Sequence, residues 1–204
     1  MAVLNEGFIS EYIFRRFSRP LARALVPTPV TPNHVSFAAF VCASIALGLF
    51  VLGLNIAAAM VALFSMVLDS TDGDLARAKN MTSNFGAFFD AVLDRYADIG
   101  MLSGMIYWSL LYENLMLPEL VAGVGLLAIA GSLNISYSRA RAEASLGEGF
   151  SGQAAIIASR DTRLFLMVIG SILGQMFWTL TILAVLTNVV VAWRIFLARN
   201  MGKG

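Results

Sequence analysis

The sequence is poor in the residues that form disulfides and bind soft metals, with one cysteine and one histidine among its 204 residues. The single cysteine, Cys42, excludes a disulfide within the chain. Zinc and copper sites are built mainly from cysteine and histidine, so this composition argues against both metals.

Charged residues are also scarce, at 13% of the chain, whereas a typical soluble domain has about one quarter. Apolar residues reach 58%, and the mean hydropathy is +0.77. This composition predicts a membrane protein. The net charge of +1 predicts no nucleic-acid partner. The opening residues MAVLNEGFIS carry no basic segment followed by an apolar one, so no cleaved signal peptide is expected.

Six apolar segments are candidates for membrane-spanning helices, because a span needs about 20 mostly apolar residues. They cover residues 33–54, 56–76, 85–111, 117–137, 162–173 and 176–196. The fifth is the shortest, since SRDTR leads directly into it. We therefore expect an all-α integral membrane protein, with a domain of six transmembrane helices over residues 32–204.

A basic segment precedes the first span. Over residues 7–26, apolar residues recur at helical spacing and are separated by arginines at positions 15, 16, 19 and 23. This pattern is typical of an amphipathic helix that lies in the membrane interface, and we assign it to an N-terminal segment over residues 1–31. PTPVTP then turns the chain, with Thr31 as the expected N-cap and Pro32 at the first helical position.

The distribution of lysine and arginine predicts the orientation of the six spans. The fourteen gather at the N-terminus, around the 2–3 and 4–5 connections or toward the C-terminus, except for Arg95, which lies inside the third span near the same side. Cytoplasmic loops carry the excess of basic residues. Both termini are therefore expected on the cytoplasmic side of the cell membrane, which agrees with an even number of spans.

The stretch from Asp69 to Asp98 gathers six of the thirteen acidic residues between two apolar segments. Asp69 and Asp72 are three residues apart, whereas Asp90, Asp94 and Asp98 repeat every fourth residue, so each set shares a helix face. Spans two and three are antiparallel, and they are expected to bring the two sets together just below the cytoplasmic surface.

Four carboxylates that face each other at membrane depth require a cation. Hard oxygen ligands favour Mg²⁺, Mn²⁺ or Ca²⁺, and two such ions suit the transfer of a phosphoryl-type group. Gly73 would let a ligand approach closely, and Arg77 supplies a cation toward phosphate. The alternative is that the acids neutralise nearby bases. For the whole group this fails, because the acids outnumber the bases, but for Asp74 and Asp98 it explains the residues as well as metal binding does.

These residues resemble the signature of the CDP-alcohol phosphotransferase family. The eight fixed positions stand at the family spacing, and TPNHVS is similar to the family's entry to its first span; the eight are Asp69, Asp72, Gly73, Ala76, Arg77, Gly86, Asp90 and Asp94. Such enzymes move a phosphoalcohol from a CDP-alcohol donor to the hydroxyl of an acceptor and release CMP. The resemblance also implies a homodimer surrounded by membrane lipids.

The resemblance assigns roles to individual residues. Two divalent cations, Mg²⁺ or Mn²⁺, would be held by Asp69, Asp72, Asp90 and Asp94, and Asp94 would also be the general base. The CDP group would be bound by Pro32, Asn33, Asp69, Gly73, Ala76, Arg77, Ser83 and Gly86. A role in starting a helix is an equal alternative for Pro32 and Asn33, and nearly so for Ser83.

Five arginines form a second group around the 4–5 connection and the end of the sixth span: Arg139, Arg141, Arg160, Arg163 and Arg194. If they converged on one cavity, they would bind a phosphorylated acceptor, because guanidinium binds phosphate bidentately. The alternative is ordinary positive-inside charge.

The acceptor prediction rests on YSRARAE and the glycine-rich loop after it, which resemble the branch that uses inositol phosphate. That branch includes phosphatidylinositol-phosphate, archaetidylinositol-phosphate and di-myo-inositol-phosphate-phosphate synthases. We therefore predict transfer of a phosphatidyl- or archaetidyl-type group to inositol 1-phosphate in phospholipid biosynthesis. CDP-inositol as donor remains an alternative, because SRDTRLF departs from the corresponding segment of the lipid-forming members. Glycerol phosphate as acceptor is a further alternative.

Two other classes of protein were compared with the enzyme. A divalent-cation or proton-coupled transporter would explain acids inside a membrane, but the outer half of the bundle has no ionisable residue to continue an ion path. An inactive scaffold would not need the complete signature. MAVLNEGF leaves no room for a fused cytidylyltransferase, so the enzyme that makes the CDP-alcohol is expected to be a separate chain.

Overall fold

The computed structural model describes residues 15–113, 116–147, 149–150 and 152–201, which form helices and no strand. The helices are α1 (Arg15–Leu25), α2 (Pro32–Val51), α3 (Asn55–Ala78), α4 (Asn84–Trp108), a π-helical segment (Ser109–Glu113), α5 (Pro118–Leu146), α6 (Gln153–Ile156), α7 (Arg160–Leu173) and α8 (Met176–Met201). The predicted all-α fold is confirmed.

Four of these helices are long and apolar enough to cross a membrane, namely α2, α3, α5 and α8. The two other predicted spans correspond to α4, which carries four charged residues, and to α7. With 14 residues, α7 is about 21 Å long, shorter than the roughly 30 Å hydrocarbon core. Four apolar helices indicate a membrane protein, and the six-span arrangement stays a prediction.

The entry to α2 follows from its sequence. The Thr31 hydroxyl accepts a hydrogen bond from the His34 backbone N–H at 3.3 Å, and His34 Nδ1 accepts one from the Thr31 N–H at 3.3 Å. Pro32 occupies the first turn, where its missing N–H is not needed. The predicted N-cap is confirmed, and it fixes the position of α2 beside the predicted nucleotide-binding residues.

The basic segment is helical over Arg15–Leu25, and its predicted part at residues 7–14 lies outside the described residues. Ala22 of α1 is buried with Val35 of α2 and Leu75 of α3. Lys79 Nζ donates to the carbonyls of Thr28 and Val30 at 2.6 and 2.7 Å, which ties the following linker to the end of α3. The position of α1 in a membrane interface stays a prediction.

The core lies where α2 packs on α3 and α4 and where α5 packs on α8. Its α2–α3 contact is rich in alanine, with Ala46, Ala58, Ala59 and Ala62 fully buried. Small side chains let helix backbones approach closely inside a membrane. A short turn joins α3 to α4, with Asn80 in the left-handed conformation at φ +54°. This turn places the end of α3 beside the start of α4.

Candidate active site

Three carboxylates meet where α3 ends and α4 begins. Oxygen atoms of Asp69, Asp72 and Asp90 all lie within 4.8 Å of one another. Asp72 is 7% exposed and accepts a hydrogen bond from the hydroxyl of Ser36 on α2. Three acids this close repel one another unless a cation joins them, and their hard oxygen atoms fit Mg²⁺ or Mn²⁺. The spacing of the acids along the two helices had predicted this meeting.

A cavity of about 180 Å³ opens beside these carboxylates, between α2, the end of α3 and the start of α4. It is lined by Pro32, Asn33, Ser36, Asp72, Gly73, Ala76, Arg77, Met81, Thr82, Ser83, Gly86, Ala87 and Asp90. Seven of the eight residues predicted to bind CDP are in this lining. The eighth, Asp69, lies in the wall of a smaller neighbouring cavity with Asp94 and Arg160.

Gly86 forms part of the cavity wall where α4 lies close to α2. A Cβ added there would lie 3.1 Å from Ser83 Oγ and 3.2 Å from Asn33 Oδ1, closer than most real contacts. Ser83 caps α4, since its Oγ accepts a hydrogen bond from the Gly86 N–H at 3.0 Å. Ser83 therefore both caps a helix and lines the cavity.

Asp94 lies one turn beyond Asp90 and faces a guanidinium. Arg160 of α7 bridges three acids: its Nη1 is 2.6 Å from Asp69 Oδ2, its Nη2 is 2.8 Å from Asp94 Oδ1, and its Nε is 3.4 Å from Asp98 Oδ1. A second guanidinium also lies near Asp94, with Arg95 Nη2 3.7 Å from Asp94 Oδ2. Asp94, the fourth predicted metal ligand, is thus outside the group of three and is joined to it through Arg160, which also pairs with Asp69.

Asp74 and Asp98, for which pairing with nearby bases was an equally good explanation, are both held in ion pairs. Asp98 is 1% exposed, and its Oδ2 lies 3.0 Å from Nη2 of the buried Arg163. Asp74 Oδ1 lies 2.7 Å from Arg77 Nη2, and its Oδ2 accepts a hydrogen bond from the Ser18 hydroxyl at 2.7 Å. These contacts favour a structural role for both.

The five arginines predicted to bind the acceptor do not converge in this structure. Arg139 pairs with Glu143 at 3.1 Å on the exposed face of α5, and Arg141 is also exposed. Arg163 donates to the carbonyls of Ser132 and Ala158 as well as to Asp98. Apart from Arg160, none of the five lines the cavities described above.

Arg194 is the clearest difference from the expected acceptor pocket. It is 2% exposed, donates from Nε and Nη2 to the Ala154 carbonyl, and donates from Nη1 to the Ile135 carbonyl at 2.6 Å. Its guanidinium also lies 5.0 Å from the centre of the Phe150 ring. A guanidinium buried away from water must find partners within the protein, and these contacts fasten α5, α6 and α8 together.

A sequence profile of the CDP-alcohol phosphatidyltransferase family matches residues 29–198, most of the chain. The chain belongs to this family. The match includes all four predicted metal-ligating aspartates and the whole lining of the 180 Å³ cavity.

Curated relatives of this family member include proteins with two different names. A bifunctional IPC transferase and DIPP synthase of Rubrobacter xylanophilus is 40% identical over 83% of this chain, which spans only 37% of that protein. A phosphatidylinositol phosphate synthase of Mycolicibacterium smegmatis is 35% identical over 84% of this chain and 75% of that protein.

The fold agrees with solved structures of a phosphatidylinositol phosphate synthase from Mycobacterium tuberculosis. One, with CDP-DAG bound, gives a TM-score of 0.77 at 29% identity and covers 90% of this chain and 94% of that chain. Another, in complex with manganese and citrate, also gives a TM-score of 0.77 at 29% identity, over 89% of this chain and 88% of that chain.

The structure adds residues that the sequence alone did not single out. Ser36, Met81, Thr82 and Ala87 also line the cavity, and Ser36 reaches Asp72. Ser36 stands four residues after Pro32 and therefore on the same face of α2. That spacing was a usable signal, whereas the positions of Met81 and Thr82 depend on the path of the α3–α4 turn.

Proposed function

We propose that the chain transfers a phosphatidyl- or archaetidyl-type group from a CDP-alcohol to inositol 1-phosphate and releases CMP, in phospholipid biosynthesis. The observation that carries the proposal is the group of Asp69, Asp72 and Asp90, which opens onto a cavity lined by the family's signature residues. Carboxylates for metal and a pocket for a nucleotide are the two parts that this reaction needs.

The proposal assigns the metal to Asp69, Asp72, Asp90 and Asp94, with two divalent ions as the expected number. Three of these acids already lie within 4.8 Å of one another, which fits a divalent ion. Bound there, such ions would neutralise the donor pyrophosphate and the charge that develops on departing CMP. The Ser36 hydroxyl orients Asp72 toward the other acids.

The CDP group would occupy the 180 Å³ cavity. Asn33, Ser83 and Thr82 offer hydrogen-bonding side chains along its wall, and Arg77 offers a cation. The absence of a side chain at Gly86 lets α4 lie close to Asn33 of α2 at this wall. Together these residues would hold the donor with its pyrophosphate toward the carboxylates.

Asp94 is the proposed general base. The acceptor hydroxyl oxygen forms a bond to the β-phosphorus of the donor, and the bond from that phosphorus to the bridging oxygen breaks. The electron pair of that bond leaves with CMP, and the acceptor proton passes to Asp94. Arg160 holds Asp94 Oδ1 at 2.8 Å, so this arginine orients the base.

Arg160 is also the best placed of the five arginines to meet an acceptor phosphate, because it lies beside Asp69 and Asp94. Arg139 and Arg141 are exposed near the end of α5, where they could meet a soluble substrate. The phosphatidylinositol phosphate synthase relative, which matches most of both chains, supports inositol phosphate as the acceptor.

A second candidate reaction uses CDP-inositol as donor and forms di-myo-inositol-phosphate-phosphate. It is favoured by the 40% identity to the Rubrobacter protein named as a DIPP synthase. We further propose six membrane crossings, with both termini and the carboxylates on the cytoplasmic side, and a homodimer. The clustering of the basic residues supports that orientation.

The test is a matrix of donors and acceptors with the purified chain in detergent and Mg²⁺ or Mn²⁺. CDP-diacylglycerol, CDP-archaeol and CDP-inositol are each crossed with inositol 1-phosphate, glycerol 3-phosphate, serine and inositol, and CMP release is measured. We expect CMP from a lipid donor with inositol 1-phosphate, abolished by chelator. CMP only with CDP-inositol selects the second candidate, and CMP from no pair contradicts both.

A further inference from the structure

A second cavity, of about 450 Å³, lies between α1 and the end of α3. Its charged lining consists of Arg15, Arg19 and Arg23 from α1 with Asp74 and Arg77 from α3. We call it the basic cleft. Its volume falls within the range of about 300–1,000 Å³ that is usual for ligand sites. The proposed reaction, with its metal site and CDP cavity, does not account for it.

Asp74, the single acid in the lining of the basic cleft, already has partners within the protein. Asp74 accepts a hydrogen bond from the Ser18 hydroxyl through Oδ2 and pairs with Arg77 through Oδ1, both at 2.7 Å. Arg19 and Arg23 are exposed, and neither forms an ion pair with a residue that the structure describes. The cleft therefore holds more positive than negative charge, and Arg19 and Arg23 have no counter-ion among the described residues.

The walls of the cleft are held in place from inside the protein. Ser18 and Ala22 face α3 and are buried, at 0% and 3% exposure, and the arginines occupy the adjoining face of α1, at the edge of its contact with α3. Arg19 and Arg23 are four residues apart and so lie one above the other on that face. Two guanidinium groups at this spacing can both reach one anion, because each presents a fork of N–H donors.

We propose that the basic cleft binds a phosphate group, carried either by an anionic lipid headgroup or by a soluble phosphate. The cleft and the CDP cavity share only Arg77 among their lining residues. The cleft is thus a site distinct from the donor site, on the side of α3 that faces α1. Basic residues on a juxtamembrane helix attract anionic lipids. Because the arginines line one cleft, they could also donate hydrogen bonds to a phosphate bound there.

The test measures binding to the full-length chain in neutral detergent without CDP or divalent ion, so its outcome does not depend on the proposed reaction. One arm titrates phosphatidylglycerol against phosphatidylcholine and reads bound lipid by native mass spectrometry. The other titrates inorganic phosphate and reads the thermal midpoint. The test variant is Arg19→Gln with Arg23→Gln, and the control is Arg16→Gln, an equally charged and exposed position on α1 outside the cleft lining.

We expect the wild type and the control to bind alike, and the double variant to bind about tenfold or more weakly in at least one arm. Loss in the lipid arm identifies a headgroup site, and loss only in the phosphate arm identifies a site for soluble phosphate. Equal binding by the double variant and the control in both arms overturns the proposal. Arg19→Lys with Arg23→Lys keeps the charge without the forks, and we expect intermediate binding from it.

Discussion

At the end of α3 and the start of α4, three carboxylates lie within 4.8 Å of one another. On α8, by contrast, the Arg194 guanidinium donates three hydrogen bonds to two backbone carbonyls and stacks near a phenyl ring. Both groups are charged and both lie in helices rich in apolar residues. Arg160 pairs with Asp69 at 2.6 Å, but neither Asp72 nor Asp90 has a basic partner among the described residues, whereas Arg194 has the partners that it needs. Charge left uncompensated marks a binding site, and charge that is compensated internally fastens helices together.

The largest effect should come from the proposed base. We expect Asp94→Asn to retain donor binding and to lose turnover by about 10²- to 10⁴-fold, because the amide cannot accept the acceptor proton. CMP release measures turnover, and equilibrium dialysis with labelled CDP-alcohol measures binding. Asp69→Asn should instead weaken metal binding.

Glu143→Gln is the control for charge loss, since Glu143 is an exposed acid paired only with Arg139 among the described residues. It should keep normal turnover. Normal turnover by Asp94→Asn would contradict the proposal that Asp94 is the general base.

The next effect separates a compensated acid from an uncompensated one on the same helix. Asp98 is buried between Arg163 and Arg160, so Asp98→Asn leaves buried positive charge without a partner. Breaking a buried pair in this way costs about 3–5 kcal/mol of stability. Asp90→Asn relieves repulsion from Asp69 and Asp72, so it should leave stability unchanged or raise it slightly. Thermal unfolding in detergent compares the two; a larger loss from Asp90→Asn would reverse the assignment.

Among the arginines, we expect replacement of an exposed one to change the kinetics and replacement of a buried one to change the stability. Arg141 is exposed, and Arg141→Ala should raise the KM for the acceptor about tenfold, with the donor KM and the thermal midpoint nearly unchanged. Arg194→Met should lower stability by about 2–4 kcal/mol, because three carbonyl hydrogen bonds disappear. Steady-state kinetics and thermal unfolding separate the two. Equal changes in both KM values for Arg141→Ala would count against an acceptor contact.

The same contrast explains what the sequence could predict. Helix positions, the Thr31 cap and the meeting of Asp69, Asp72 and Asp90 follow from local spacing and from one short antiparallel turn. The contact of Arg160 with Asp69 joins residues 91 positions apart, and it depends on how α7 packs against α3. The spacing of residues along the sequence does not reveal such packing. Five arginines near one end of the bundle therefore suggested a pocket, although Arg163 and Arg194 are buried and donate to backbone carbonyls.

The smallest expected effect concerns packing rather than charge. A methyl group at Gly86 would lie 3.1 Å from Ser83 Oγ and 3.2 Å from Asn33 Oδ1, so these two side chains must move by a few tenths of an ångström. Overpacking of this kind is mildly costly, and we expect Gly86→Ala to raise the donor KM by roughly three- to tenfold, with kcat less affected. Gly123→Ala on α5 is the matched control, because a Cβ there meets nothing within 4 Å. The control should leave both constants unchanged and slightly raise the thermal midpoint, since alanine favours a helix over glycine. If both variants changed the donor KM equally, the close contact at Gly86 would not be what shapes the wall of the nucleotide cavity.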